Sequence, residues 1–145
     1  PIEIELLIAA PADEVWAELE RLEDHVTWMA DAVAIDFVSD QHRGLGTRFT
    51  CATKVGPLRT TDVMTITEWA EGSAMAVSHE GAVSGVGRFS LHPTEDGTIL
   101  RWSEQLRFPI LLGGRLGALV ARPVFRLIWH RNLVRLKDRI EFRER

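Results

Sequence analysis

The chain contains no tyrosine, one cysteine and three methionines. Without tyrosine, no phenolic hydroxyl can serve as a general acid or as a polar handle in an interior site. Five tryptophans and six phenylalanines still supply ample aromatic surface. Cys51 stands alone and cannot close an internal disulfide, so a reducing compartment, the cytoplasm, is the expected location. Long apolar runs are missing as well. In "FPILLGGRLGALVARPVFRLIW", residues 108–129, the longest charge-free piece is Phe108 to Gly114, seven residues, before Arg115, Arg122 and Arg126 interrupt. A helix that spans a bilayer needs about 20 predominantly apolar residues, which excludes this reading. The opening "PIEIELLIAAP" places Glu3 and Glu5 where a secretory leader carries positive charge, so no leader is expected.

Several chemistries lack their residues. The five histidines (His25, His42, His79, His92 and His130) contain no pair at i,i+2 or i,i+4, and "HEGAV" at 79–83 ends in Val83 where a zinc-protease motif needs histidine. No metal is expected. "GVGRFS" lacks a third glycine and runs inside a strand, no phosphate loop is present, and Ser84 does not sit in a nucleophile elbow. No cofactor is expected either. Cys51, in "TRFTCAT", reads as a buried strand residue.

Charge is unevenly distributed. Residues 1–105 hold 7 Lys/Arg against 18 Asp/Glu, whereas residues 106–145 hold 10 against 3, within a total net charge of −4. The plain reading lays a basic segment against an acidic body. The secondary reading is weak contact of the basic C-terminal helix with a membrane surface. Nucleic acid is not an expected partner, because the acidic body opposes the phosphate backbone.

Periodicity supplies the elements. "IEIELLI" alternates as a strand. "APADEVWAELERLED" begins a helix with Pro11 in its first turn and Val15, Leu19, Leu22 and Val26 as its buried stripe. "HVTWMAD" reads as a second short helix. Strands follow near 32–38, 46–55, 58–69, 73–80, 84–92 and 97–108, with bends at Gly44, Gly56-Pro57, Gly72, Gly81 and Asp96-Gly97. A long helix over roughly 113–141 closes the chain. It carries Phe125, Trp129, Leu133, Leu136 and Ile140 on one face, and Pro123 should kink or break it. Arg122 and Arg126, and likewise Arg131, Arg135 and Arg139, repeat at i,i+4 and need partners; the acids Glu18, Glu20 and Glu23 of the first helix are the expected ones.

This order, together with "APADEVWAELERLEDHVTW", "GLGTRF" at 44–49, "ITEWAEGSAMAVSHEG" at 66–81 and "GVGRFSLHPTEDGTILRWSEQL" at 85–106, resembles the helix-grip superfamily of START-like and polyketide cyclase/dehydrase-like (SRPBCC) domains. The resemblance covers essentially all of residues 1–145 as one domain. It implies an α+β fold: a curved antiparallel sheet of about seven strands, two short helices after the first strand, and a long C-terminal helix over a cavity. The resemblance implies binding or transport of a small hydrophobic ligand of lipid, polyketide or isoprenoid type. The opening stretch 108–129 then becomes the last strand's exit and the first half of the gripping helix. A ligand cavity should exceed about 300 Å³.

Within such a fold, Trp28, Phe49, Met64, Phe89, Trp102, Glu104, Phe125 and Trp129 are the expected ligand-binding residues. Glu104 is the exception among them, a carboxylate alternating with Leu100, Trp102 and Leu106 on an apolar face. Such a group must be paired, protonated or in contact with cavity water. The plain reading is an ion pair with an arginine of the long helix or a strand end that reaches solvent. The functional one is a pocket acid. His79 follows Met75 and Val77 in the same alternation; if it converges with Glu104, the two form an acid/base pair for enolisation or dehydration. That enzyme reading, a polyketide cyclase/dehydratase with Glu104 and His79 as catalytic groups, is the alternative. A dense set of polar inward-facing groups does not accompany the apolar faces, which favours the binding protein. Gly85 and Gly87 are expected to let a ligand or the helix approach the sheet. The sequence leaves the oligomeric state open.

Overall fold

Ile2, Ile4 and Ile8 alternate with exposed Glu3 and Glu5, and they form the first strand of a seven-stranded antiparallel sheet. The computed structural model describes residues 2–81, 83–108 and 113–142. The strands are β1 (Ile2–Ile8), β2 (Ala32–Phe37), β3 (Arg48–Val55), β4 (Leu58–Ala70), β5 (Ala74–Glu80), β6 (Ser84–Thr94) and β7 (Gly97–Arg107), in the spatial order β1-β7-β6-β5-β4-β3-β2. From β2 to β7 each strand pairs with its neighbour in sequence, and β1 then closes against β7 with Ile4 opposite Trp102. The β3–β4 hairpin turns on Gly56-Pro57, where Gly56 takes φ +58°, as the first position of a two-residue loop requires. The β6–β7 hairpin loop is Glu95-Asp96, and Gly97 is already the first residue of β7.

Between β1 and β2 the chain forms α1 (Ala12–Leu19) and a 3-10 helix at Leu22–Thr27. This shifts the expected second short helix three residues earlier. Val15, Leu19 and Leu22 are all buried, but the stripe is divided between two helical pieces. The chain turns at Glu20–Arg21, and His25 locks the junction by holding the Leu19 carbonyl at 2.7 Å. A carbonyl only accepts, so Nε2 of His25 carries the proton. Burial lowers the pKa of this imidazole and keeps it neutral.

The long helix α2 (Gly114–Glu141) starts after Gly113, which adopts a left-handed conformation (φ +91°). Residues 109–112 of the apolar segment lie outside the described residues. The helix runs unbroken through Pro123, so the expected break does not occur. Pro123 sits on the exposed side, where solvent can satisfy the carbonyl that its missing N–H releases. Phe125, Trp129, Leu133, Leu136 and Ile140 are all buried and pack against β1, β7 and α1.

The arginines of α2 find only part of the expected company. Arg139 pairs with the buried Glu18 at 3.0 Å. Arg135 instead donates to Asn132 Oδ1, and Glu20 pairs with Arg43 of the β2–β3 loop at 3.5 Å. No helix among the described residues is long and apolar enough to cross a membrane.

Candidate functional site

Inward-facing residues of β3 to β7 and the buried face of α2 enclose a cavity. Its volume is about 130 Å³, less than half of what the sequence led us to expect. An apolar cavity of about 150 Å³ holds a benzene, so the enclosed volume is on the scale of one aromatic ring.

Of the expected ligand-binding residues, Phe49, Met64, Phe89, Trp102, Glu104, Phe125 and Trp129 line the cavity. Trp28 does not reach the lining. It is buried behind the wall, edge-on to Phe89 and Trp102 with ring centroids at 6.1 and 6.5 Å. The rings of the wall form a stack across the sheet–helix boundary. Trp102 lies over Trp129 at 5.2 Å, Trp129 lies over Phe125 at 5.2 Å, and Phe108 meets Phe125 edge-on at 5.9 Å. Such pairs contribute about 0.5–1.5 kcal/mol each beyond the area they bury.

Trp129 is also held by hydrogen bonds. Its Nε1 donates to Asp31 Oδ2 at 3.1 Å, and Asn132 Nδ2 donates to Asp31 Oδ1 at 2.7 Å. Asn132 Oδ1 in turn accepts from the Ala30 amide at 3.0 Å. One aspartate after the 3-10 helix therefore orients the ring of α2 that closes the cavity.

The polar end is built across strands β4 to β7. His79 Nε2 on β5 lies 3.2 Å from Glu104 Oε2 on β7, at ion-pair distance but without the alignment of a hydrogen bond. Glu104 Oε1 accepts from Trp102 Nε1 at 3.1 Å. Strand β6 lies between β5 and β7, and there Gly87 stands opposite Glu104. A Cβ at Gly87 would sit 2.4 Å from Glu104 Oε1. The bare glycine is what lets the carboxylate lie across β6. The space expected for a ligand or the helix is taken by Glu104, whose ion-pair partner among the described residues is His79 rather than an arginine of α2, although Arg115 and Arg122 line a neighbouring pocket with it.

Asp62 on β4 completes the group, and the sequence reading missed it. It is buried, lines the cavity, and shares its face of β4 with Met64 and Ile66. The alternation Asp62, Met64, Ile66 carried that signal. Its Oδ1 has no hydrogen-bond partner among the described residues, and neither does Glu104 Oε2. Burial raises the Asp62 pKa, against the pull of His79 and the Thr60 hydroxyl. Burial alone would push the His79 imidazole toward neutrality. Glu104 and Asp62 outweigh it, and the His79 pKa is raised. A protonated imidazole beside an unsatisfied carboxylate can pass a proton to, or accept one from, a group placed in the cavity.

Cys51 also lines the cavity, but burial pushes its thiol up to about 11, so little nucleophilic thiolate forms near neutral pH. No group of His, Cys, Asp and Glu among the described residues is arranged to hold a metal ion.

The sequence model of the family described as "Polyketide cyclase / dehydrase and lipid transport" matches residues 2–141. The chain belongs to this family. No curated protein matches its sequence. Its fold is shared by protein TTHA0849 of Thermus thermophilus (TM-score 0.78, 18% identity, 99% of each chain covered). It is shared also by the di-domain ARO/CYC StfQ of the steffimycin biosynthetic pathway, with TM-score 0.79 and 17% identity over 98% of this chain and 50% of that one. A third similar structure is the Zhui aromatase/cyclase of Streptomyces sp. R1128 (TM-score 0.71, 17% identity, 99% of this chain and 94% of that chain covered). At these identities the likeness concerns the fold alone. The family and its fold place the chain among hydrophobic-ligand binders and polyketide-type enzymes.

Proposed function

We propose that the protein binds a small hydrophobic molecule of lipid, polyketide or isoprenoid type in the cavity between the sheet and α2, with one ring or short apolar group enclosed at a time. The observation that carries this reading is the stack Trp102–Trp129–Phe125, set in an apolar wall and oriented through Asp31. Extraction of the purified protein followed by mass spectrometry tests it: a stoichiometric apolar molecule supports the reading. Failure to find one, together with no saturable binding of alkylbenzenes, overturns it.

A second reading is favoured by one specific observation, the convergence of His79 and Glu104 at 3.2 Å inside the cavity. As a cyclase/dehydratase-type enzyme, the protein would use this pair as acid and base on a bound polyketone, with no cofactor. Glu104→Gln then abolishes turnover while leaving binding within about tenfold, because a single hydrogen bond contributes about 0.5–1.5 kcal/mol net. Loss of binding instead makes Glu104 an anchoring group.

The exposed side of the first half of α2 supports weak docking on an anionic membrane surface. Leu116, Leu119, Val120, Val124 and Leu127 are each at least half exposed, and Arg115, Arg122 and Arg126 lie among them. An apolar ridge set among basic residues has the composition of an interfacial helix. On this reading the docking surface would lie beside the cavity wall, since Phe125 of the same helix turns lines the cavity. The lone, buried thiol of Cys51 supports a cytoplasmic location.

A further inference from the structure

The lining of the cavity is rich in acceptors and short of cations at its polar end; Arg115 and Arg122 line a neighbouring pocket with Glu104 but not the cavity itself. Among the charged side chains that line it, Arg88 is bound to Glu68 at 2.8 and 3.2 Å, on the exposed side of the sheet. Asp31 is committed to Trp129 and Asn132. His25 donates its Nε2–H to the Leu19 carbonyl and is not available to a ligand through that atom. That leaves one imidazole, His79, between two carboxylates. Asp62 and Glu104 are only 6% and 5% exposed, and Asp62 Oδ1, Glu104 Oε2 and His79 Nε2 are all buried without a hydrogen-bond partner among the described residues; with the imidazole 3.2 Å from Glu104 Oε2, a single donor group stands against two acceptors.

A buried acceptor left unmatched is costly, whereas a ligand that supplies the missing donor recovers that cost. A further anion beside two carboxylates and one imidazole is repelled in a medium that screens it poorly. We infer that the cavity selects ligands whose apolar body ends in an uncharged or cationic hydrogen-bond donor, a hydroxyl or an amino group, and rejects those ending in a carboxylate or phosphate. This rests on the proposed binding function and narrows it: fatty acids and phospholipid headgroups are excluded from the polar end, while phenols, enols, alcohols and amines fit.

Four probes share one skeleton: propylbenzene, 4-propylphenol, 4-propylbenzylamine and 4-propylbenzoate. Each is titrated against the native protein at pH 8 by tryptophan fluorescence, which is free of tyrosine background. The expected order places 4-propylphenol about two- to tenfold tighter than propylbenzene and at least tenfold tighter than 4-propylbenzoate. The benzylamine distinguishes the two donor sources: if it binds tighter than the phenol, the native donor is a cation. Asp62→Asn with Glu104→Gln should bring the benzoate within about threefold of the phenol, and Asp62→Asn alone provides the same comparison if the double variant does not fold. Equal binding of benzoate and phenol by the native protein overturns the inference while leaving the apolar-cavity reading intact. Discrimination that is unchanged in the variants also overturns it. Binding of none of the four, propylbenzene included, overturns the cavity reading and this inference together.

Discussion

The carboxylate of Glu104 on β7 meets the imidazole of His79 on β5 by crossing Gly87 on the strand between them, at 3.2 Å. Neither residue could reach the other over a side chain, because even a methyl group at Gly87 would lie 2.4 Å from Glu104 Oε1. The pair therefore depends on three strands and one absent side chain.

Gly87→Ala tests that dependence. The added methyl should displace Glu104 and remove the main influence that holds the His79 pKa up, leaving the desolvation that lowers it. An NMR titration should then show the His79 imidazole titrating at lower pH than in the native protein. An unchanged midpoint in a folded variant contradicts the geometry.

The same pair sets a pH dependence of stability. The folded-state pKa of His79 lies above its unfolded value of about 6.5, so its contribution is complete below that value and is lost as pH rises through the folded one. Asp62, also raised, acts in the same sense at its own, lower range. His25 acts oppositely: its pKa is lowered, so it costs stability as pH falls below about 6.5. Subtracting urea-denaturation curves of His79→Gln from those of the native protein isolates the His79 contribution. The difference should favour the native protein at pH 6 and shrink as pH rises. A difference that grows with pH contradicts the raised pKa.

Much of this was legible in the sequence, and the reasons for the rest are specific. Period-two alternation located the seven strands within a few residues, because each strand has one buried face and turn residues at its ends. The five-residue stripe of α2 was readable for the same reason, with a different period. Alternation also placed His79 and Glu104 on inward faces. Their convergence was not readable, since it depends on the register of β5, β6 and β7, which local pattern does not encode. Asp62 shares the alternation of Met64 and Ile66, but in the polar run "LRTTD" a lone carboxylate reads as solvent-facing on local pattern. Trp28 has the composition of a cavity residue, yet packing order put Phe89 and Trp102 in front of it. Of the kink or break expected at Pro123 the break does not occur: proline's cost is largest where the freed carbonyl is buried, and Pro123 lies on the exposed side of α2.

Trp129→Ala should lower stability by about 3–5 kcal/mol, because it removes the ring between Trp102 and Phe125 and leaves Asp31 without one of its donors. Trp129→Phe should keep the stacking and lose only the hydrogen bond, at about 0.5–1.5 kcal/mol. Urea denaturation of both variants distinguishes the two contributions. Equal losses would show that the Asp31 bond outweighs the packing.

Membrane docking through α2 predicts that vesicles containing phosphatidylserine bind the protein more strongly than neutral ones, and that salt weakens the binding. Arg115→Glu with Arg126→Glu should reduce it, at about 1 kcal/mol per basic residue near the surface. Thermal stability should change little, since both side chains lie on the outer side of the helix. Equal binding to neutral and anionic vesicles would exclude an electrostatic surface.

The central claim is that the cavity itself is where an apolar ligand binds, and filling it is the most direct test. Thr53 lines the cavity from β3, and Thr53→Phe places a ring in a space that holds about one. Titration of the native and variant proteins with propylbenzene, followed by tryptophan fluorescence, reads occupancy through Trp102 and Trp129. The account predicts saturable binding to the native protein and at least tenfold weaker binding to a Thr53→Phe protein that remains folded by circular dichroism. Native-like affinity in the folded variant would place the ligand elsewhere and contradict the account.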